Sequence, residues 1–409
     1  VPSNATVSTL SAALKTLYPQ SKINEEFFIE SAFMGMVPKS TDFTGKNLVL
    51  AVRYAGQQGR GTTIAQAQAA RTSSQQVAFT LTRKKDYAVG RIDGEAILAA
   101  KGSAGSLVDG LKGEMDSCLT NLKRSLAQAV WGNSGGFIGA VGSLSTTVLT
   151  LANREDAINF APGQIIVGSA TDGSSGLGSL RDSGDSVTVV SVDPDAGTVT
   201  GSAAWSTQIS GLTAGDYLFV QSDYGAKLTG IRGWVPTTAP SAAENFFGVD
   251  RSVHPTALAG VRYSATAGAA IEETLQTALA RAYVYGARPD VIFMNPTDFN
   301  KVIIALGSRV IYDKTKAFNV PEIGFEAFII VGPAGSTKVV ADAYCPLGYA
   351  YAMTMKTWKL YSLGPCPHVL DDDGLAMLRV SDADDYEWRL GYYAQLGCSS
   401  PGENVVITL

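Results

Sequence analysis

YAGQQGRGTTIAQAQAARTSSQQ, residues 54–76, separates two segments with the alternation of β-strands and holds a single large aliphatic residue, Ile64. The flanks, residues 46–55 and 76–92, predict an outgoing strand and its return, and so a long β-hairpin. Ordering a tip of roughly 20 residues costs on the order of 30 kcal/mol of conformational entropy. One isoleucine cannot offset that. The tip is therefore either disordered or held by surfaces outside its own domain.

Charge favours the second outcome. Residues 46–91 carry Lys46, Arg53, Arg60, Arg71, Arg83, Lys84, Lys85 and Arg91 against Asp86, whereas residues 371–387 carry Asp371, Asp372, Asp373, Asp382, Asp384, Asp385 and Glu387 against Arg379. The two runs are electrostatic complements, and a protruding hairpin reaching a neighbouring copy is how such complements set register and partner choice. Arg53, Arg60, Arg71, Arg83, Lys84 and Lys85, with the seven carboxylates, are the candidate intersubunit contacts. Two unrelated solvated faces, or two segments facing each other within one subunit, are the competing readings.

Beyond the hairpin, Val7, Leu10, Leu14 and Leu17 predict an amphipathic helix over residues 5–18, stopped by Pro19. Leu107, Leu111, Met115, Leu119, Leu122, Leu126 and Val130 predict a helix over residues 106–131, about 39 Å long, with Ser106 and Asp109 as a capping box. Composition shifts near residue 144 and back near 226. The short β runs between, with a turn at residues 193–197, predict a small β-barrel or sandwich inserted into a host domain. The glycine-rich residues 132–142 read as a flexible connector ahead of it. A second helix, residues 269–286, runs along Ile271, Leu275, Leu279 and Tyr283, then a buried strand, DVIFMNP, and a short helix, TDFNKVIIALG. Strand follows strand beyond Gly324. The irregular alternation indicates an α+β fold.

The 409 residues suffice for two or three domains, and only 17% are charged, which fits a surface largely covered by partners. A net charge of −5 and a pI near 5.2 argue against gripping nucleic acid through a broad basic face. Cys118, Cys345, Cys366 and Cys398 have no metal or disulfide-framework spacing and read as free thiols in a reducing compartment. No stretch has the pattern of a secretion signal or membrane span.

The motifs of chemistry are sparse. His254 and His368 belong to no metal cluster, and Cys366 and His368 share a strand face without a third catalytic group. The acidic run 371–374 lacks calcium-loop spacing and reads as a solvated turn. GQQGRGTT has no following GK[ST]. Tyr349, Tyr351, Met353 and Met355 lie on one strand face, without the basic neighbours of a base-stacking platform, and read as core. No catalytic residue, cofactor or metal is expected.

The order of arm, long basic hairpin, long helix, mixed α/β region and closing strands resembles that of the tailed-bacteriophage major capsid proteins. LTGIRGWVPTTAP, FFGVDRS and LAGVRY look like the link into the capsid axial domain, ARPDVIFMNPTDFNKV like its helix, strand and helix, and DDDGLAMLRVSDADDYEWRLGYYAQL like late strands of the peripheral domain. The resemblance implies an N-terminal arm (1–45), an extended loop (46–93), a peripheral domain with a spine helix (94–143), an inserted β domain (144–226), an axial domain (227–345), and peripheral strands returning to the axial domain (346–409). It further implies a non-enzymatic shell subunit forming hexamers and pentamers of an icosahedral head in the virion. Such a head is assembled in the host cytoplasm with scaffold, portal and decoration proteins, and encloses double-stranded DNA without reading its sequence or involving a membrane. Some relatives join an extended-loop lysine to an asparagine; Lys84 and Lys85 lie near the hairpin base, so that chemistry is not carried over. In this reading the acidic balance keeps the inner wall from gripping DNA. A cellular nanocompartment shell with enzyme cargo and a β-rich hydrolase with a lid hairpin are the alternatives.

Overall fold

The computed structural model describes residues 31–93, 104–174, 178–242, 244–306, 328–333, 335–371, 374–375, 377–381 and 384–409. The helix expected over residues 5–18 lies outside them. In chain order, helix α1 (Ala32–Met36) leads through β1 (Lys39–Ser40) to β2 (Asn47–Ala55), helix α2 (Ile64–Ala69), β3 (Gln75–Thr82), β4 (Lys84–Asp93) and the long helix α3 (Ala104–Trp131). Six strands follow: β5 (Phe137–Ser145), β6 (Val148–Leu151), β7 (Ile165–Ser169), β8 (Val187–Asp193), β9 (Thr198–Gly201) and, after helix α4 (Trp205–Gln208), β10 (Tyr217–Val220). Next come α5 (Ile231–Trp234), α6 (Pro255–Ala259), β11 (Val261–Ser264), α7 (Ile271–Val284), β12 (Val291–Met294), α8 (Pro296–Leu306), β13 (Phe328–Gly332), β14 (Gly335–Ala341) and β15 (Tyr349–Met353). The chain closes with β16 (Trp358–Ser362), β17 (His368–Val369), β18 (Leu378–Arg379), β19 (Asp385–Cys398) and β20 (Val405–Thr408).

The return strand expected over residues 76–92 is two strands. Its first half, β3, pairs antiparallel with β2, and its second half, β4, leaves at Arg83 to pair with β19 across Lys84↔Ala394 to Asp93↔Asp385. Alternation says which side chains point inward, and both halves keep it; it does not say which strand lies alongside. Gly90 makes the second pairing feasible, because a Cβ there would stand 2.4 Å from the Trp388 ring. The fourteen-residue β19 is the axis of this sheet, with β4 along one side and β16, β17 and β18 in turn along the other.

A second, mixed sheet has the order β11-β20-β15-β12-β14-β13. Every residue of β12 is buried, as its unbroken apolar run requires when both faces are covered. Ile292 and Met294 face α7 and α8 with Leu275, Leu279 and Val302, while Val291 and Phe293 face the main core. Tyr283, on the expected stripe of α7, is about half exposed. Phe33 of α1 joins the two sheets, its ring centroid 6.1 Å from Trp358 and 5.6 Å from Phe293, and Trp131 at the end of α3 packs beside it, 5.8 Å from Phe33, 5.9 Å from Phe293 and 5.6 Å from Tyr351. Asp342, buried at this junction, accepts from Ser31 Oγ and the Phe33 backbone N–H, and burial raises its pKa. Helix α3 starts at Ala104, so Ser106 and Asp109 lie within it and not at its cap, Ala104 being the stronger helix former.

Strands β5, β6, β9, β8, β7 and β10 close into a barrel in that order, filled by its own cluster around Trp205, Leu218, Ile166 and Val199. Its first strand begins at Phe137, inside the stretch expected to be a flexible connector. Ladders to β6 and β10 make a strand of this glycine-rich run, which side-chain pattern alone does not announce.

Candidate assembly surface

The hairpin is anchored at its base. Val52, Phe79 and Leu81 point inward and are buried; the Phe79 ring meets Trp234 at 5.2 Å and Phe246 at 6.1 Å. Arg251 knots the loop that carries Phe246. Its guanidinium donates to both Glu244 oxygens (2.8 and 2.7 Å) and to the Gly233 carbonyl (2.8 Å), and lies 3.7 Å from the centre of the Phe246 ring. The Thr80 N–H donates to the Phe247 carbonyl at 2.9 Å, so loop and strand β3 are joined by backbone as well.

Beyond the base, nothing among the described residues buries the hairpin tip. None of the six residues of α2 is buried, and Ile64 is 79% exposed. Yet the tip has a defined local shape. Thr63 and Gln66 form a reciprocal capping box, the Thr72 N–H donates to the Gln58 carbonyl at 3.2 Å, and Gly61 lies so close to α2 that a Cβ would stand 2.6 Å from Gln66 Cβ and 2.7 Å from the Ala67 nitrogen. Arg53, Arg60 and Arg71 are exposed, and among the described residues none of them has an ion-pair partner.

The charges at the hairpin base are placed differently. Arg83 donates to the Phe43 carbonyl at 2.8 Å with its guanidinium 5.1 Å from the Phe43 ring centre, and Lys84 donates to the Gly225 carbonyl at 3.3 Å. Burial lowers the Lys84 pKa. Lys85 is exposed, 5.9 Å from the Tyr87 ring centre. Because β4 runs beside β19, Arg91 comes opposite Glu387 and pairs with it at 3.3 Å; Glu387 also accepts from Arg389. Asp384 pairs with Arg379 at 3.1 Å, Asp385 stands opposite Asp93, and the Asp371 carbonyl accepts from Gly374 N–H in a turn. Asp372, Asp373 and Asp382 lie outside the described residues. The basic and acidic runs thus meet within one subunit at Arg91 and Glu387, while Lys85 and, nearer the tip, Arg53, Arg60 and Arg71 are exposed.

A polar cluster that sequence reading missed sits where the barrel joins the rest. Lys227 Nζ is 2.6 Å from Asp86 Oδ2, 3.2 Å from Asp223 Oδ1 and 2.7 Å from Ser125 Oγ, and Ser125 also donates to Asp86. Strand β4, helix α3 and the exit from the barrel are thereby tied together. Burial, outweighing the nearby Lys227, raises the Asp223 carboxyl to about 6; burial likewise raises Asp156, on the barrel side of the same junction, to about 6. Asp86 and Lys227 are 141 residues apart, and no local spacing connects them.

The residues examined for chemistry have structural places. His254 Nδ1 accepts from the Ala257 N–H as the cap of α6. Cys366 is buried and its thiol is pushed up to about 12, the opposite of an activated nucleophile. All four cysteines are free thiols. Tyr351, Met353 and Met355 are buried, as core residues. Among the described residues no group of side chains is arranged to hold a metal ion, and no helix is long and apolar enough to cross a membrane.

Residues 212–380 match the family profile of the SU10 major capsid protein. By structure, the chain is similar to a subunit in the cyanophage A-1(L) capsid asymmetric unit, with a TM-score of 0.52 and 11% identity over 94% of this chain and 92% of that one. A Mycobacterium phage Ogopogo structure aligns with a TM-score of 0.42 and 10% identity, over 93% of this chain and 92% of that one. A virus-like particle from Pyrococcus furiosus aligns with a TM-score of 0.36 and 8% identity, over 95% and 96%. No curated protein sequence matches. The fold is that of the tailed-phage major capsid proteins, with an added closed barrel of six strands.

Proposed function

We propose that this chain is a phage major capsid protein that forms a capsid shell, assembling as hexamers and pentamers of an icosahedral head enclosing double-stranded DNA, each hairpin tip lying on a neighbouring copy. The observation that carries the intersubunit reading is the tip itself. Between the end of β2 at Ala55 and the start of β3 at Gln75 the chain is shaped by a capping box and a few backbone bonds, with no residue of α2 buried. Such bonds contribute about 1 kcal/mol each, against about 1–2 kcal/mol of backbone entropy for every residue ordered. A second copy supplies the missing surface, and Arg53, Arg60 and Arg71 select an acidic one.

In this reading the sheet built on β19, with α3 as spine, is the peripheral domain, and the β11 to β13 sheet with α7 and α8 is the axial domain. Residues 1–45 are the arm and residues 46–93 the extended loop. Scaffold and portal proteins direct assembly in the host cytoplasm, and decoration proteins complete the particle. Electron microscopy of the purified protein, alone and with its scaffold, tests this. Closed particles or capsomers are expected; a persistent monomer at micromolar concentration across a range of salt refutes it. Enzyme co-purifying in place of DNA would shift the reading to a cellular compartment shell.

A further inference from the structure

The barrel hangs from one neck and rests on the body through polar contacts. Among the described residues its apolar cluster shares no member with the clusters of the two sheets. Entry and exit lie side by side: the Gly225 N–H donates to the Gly135 carbonyl at 2.8 Å, and Phe219 stands opposite Phe137. At α3 and the turn after it, Gln128 Nε2 donates to Asn159 Oδ1 at 3.1 Å and Asn133 Nδ2 to Asp172 Oδ2 at 2.6 Å. The Arg232 guanidinium lies 5.1 Å from the centre of the Phe137 ring. From β4, Lys84 donates to the Gly225 carbonyl and Asp86 accepts from Lys227. Contacts of this kind exchange for water at little net change in free energy, whereas an interlocked apolar core does not. The seat can therefore open while the cores on either side stay intact.

Charge ties that opening to protons. At the barrel exit Asp86 and Asp223 share one lysine, Lys227, whose Nζ is 2.6 Å from the first and 3.2 Å from the second, and all three side chains are largely buried. Two carboxylates against one ammonium leave a negative charge over, and a buried surplus charge is relieved by taking up a proton. The other groups at this cluster do not cancel it. Ser125 of α3 is neutral, Lys84 of β4 is directed to the Gly225 carbonyl, and Tyr392 of β19, its hydroxyl pushed well up by burial and by Asp86, stays protonated. On the barrel side, Asp156 is faced by Arg232, with Glu155 beside it and Asn153 hydrogen-bonded to it. At both Asp156 and Asp223 burial outweighs the neighbouring cation, and each carboxyl is raised from 3.8 to about 6.

We propose that the seat of the barrel is a proton-controlled joint, closed on α3 and β4 in mildly acid solution and loosening as Asp156 and Asp223 ionise. The seated form binds protons more tightly than an open form in which both carboxyls return to water. Its advantage is full below 3.8 and is lost as pH rises through about 6. Between pH 5 and pH 7.5 each carboxyl raises the ratio of open to seated roughly 10-fold, and the two together roughly 100-fold. Loosening frees Asp86 and Lys84 along with the barrel, so the base of the hairpin and the barrel answer to the same protons. The joint lies within one subunit and is independent of the capsid reading above.

Hydrogen exchange of the full-length subunit measures it, read by mass spectrometry and expressed as protection factors so that the pH dependence of the exchange chemistry is removed. The neck segments, residues 132–137 and 221–228, are expected to lose protection about 100-fold from pH 5 to pH 7.5, while strands β6 and β9 of the barrel keep theirs. The double variant Asp156→Asn, Asp223→Asn, which cannot ionise at either position, is expected to hold the same neck protection at both pH values. Neck protection independent of pH in the unsubstituted chain overturns the proposal, as does an unaltered pH dependence in the double variant. Should the double variant not fold, Asp223→Asn alone is expected to reduce the change to about 10-fold, and an undiminished change in that variant overturns the proposal as well.

Discussion

Two sets of charge reversals separate the two roles of the hairpin. In the base set, Arg83→Glu removes a charged donor 2.8 Å from the Phe43 carbonyl and a cation 5.1 Å from the Phe43 ring centre. A hydrogen bond from a charged group contributes about 1.5–3 kcal/mol and an exposed cation–π contact about 0.5–1 kcal/mol, so the loss is about 2–4 kcal/mol. In the tip set, Arg53→Glu, Arg60→Glu and Arg71→Glu alter exposed side chains without ion-pair partners among the described residues, and each is expected to change stability by no more than about 0.5 kcal/mol. The five tryptophans are buried, so their fluorescence reports urea unfolding of the unassembled subunit. At a slope of about 3 kcal/mol/M, the base variant lowers the midpoint by about 1 M and the tip variant leaves it in place. Sedimentation then measures particle yield, which the tip variant is expected to lose at unchanged subunit stability. Normal yield from the tip variant would refute the intersubunit role of those arginines. An unshifted midpoint for Arg83→Glu would refute the anchoring of the base.

Gly61→Ala forces α2 away by about 1 Å, since carbon atoms pack at about 3.5–4.0 Å and the new Cβ would stand 2.6 Å from Gln66 Cβ; reduced particle yield with an unchanged urea midpoint is expected. Arg251→Leu strands Glu244 and the Gly233 carbonyl and is expected to destabilise the subunit by about 3–5 kcal/mol, measured by the same unfolding curve. Asp223 provides a pH signature. Its folded-state pKa is raised from 3.8 to about 6, so the folded state favours its protonated form, and its burial penalty is full above about pH 6 and fades as pH falls toward 3.8. Unfolding at pH 7.5 and 4.5 should therefore show the stability difference between Asp223→Asn and the unsubstituted protein narrowing by about 2 kcal/mol at the lower pH. A constant difference would show that Asp223 does not titrate as placed.

Local pattern determined a good deal by itself. The seven apolar positions from Leu107 to Val130 announce one long helix, the unbroken VIFM run announces a strand covered on both faces, and the shift in composition announces an inserted β unit. The poverty of residues 56–74 in anything to bury announces a limb with no core of its own. These are statements about periodicity and composition, which a chain carries within a few turns or pleats. Only the tertiary structure decided the partners. Alternation in residues 75–93 marks inward faces equally well for one strand or two, so the hand-over at Arg83 from β2 to β19 is invisible until β19 is in place. That hand-over brings Arg91 to Glu387 inside the subunit and leaves Arg53, Arg60 and Arg71 facing outward. Asp86, Ser125, Asp223 and Lys227 likewise meet only because the fold closes a gap of 141 residues. Which face of a segment is buried is written in its neighbours along the chain; what it is buried against depends on residues far away, whose energies act only once backbone topology has brought them within a few ångströms.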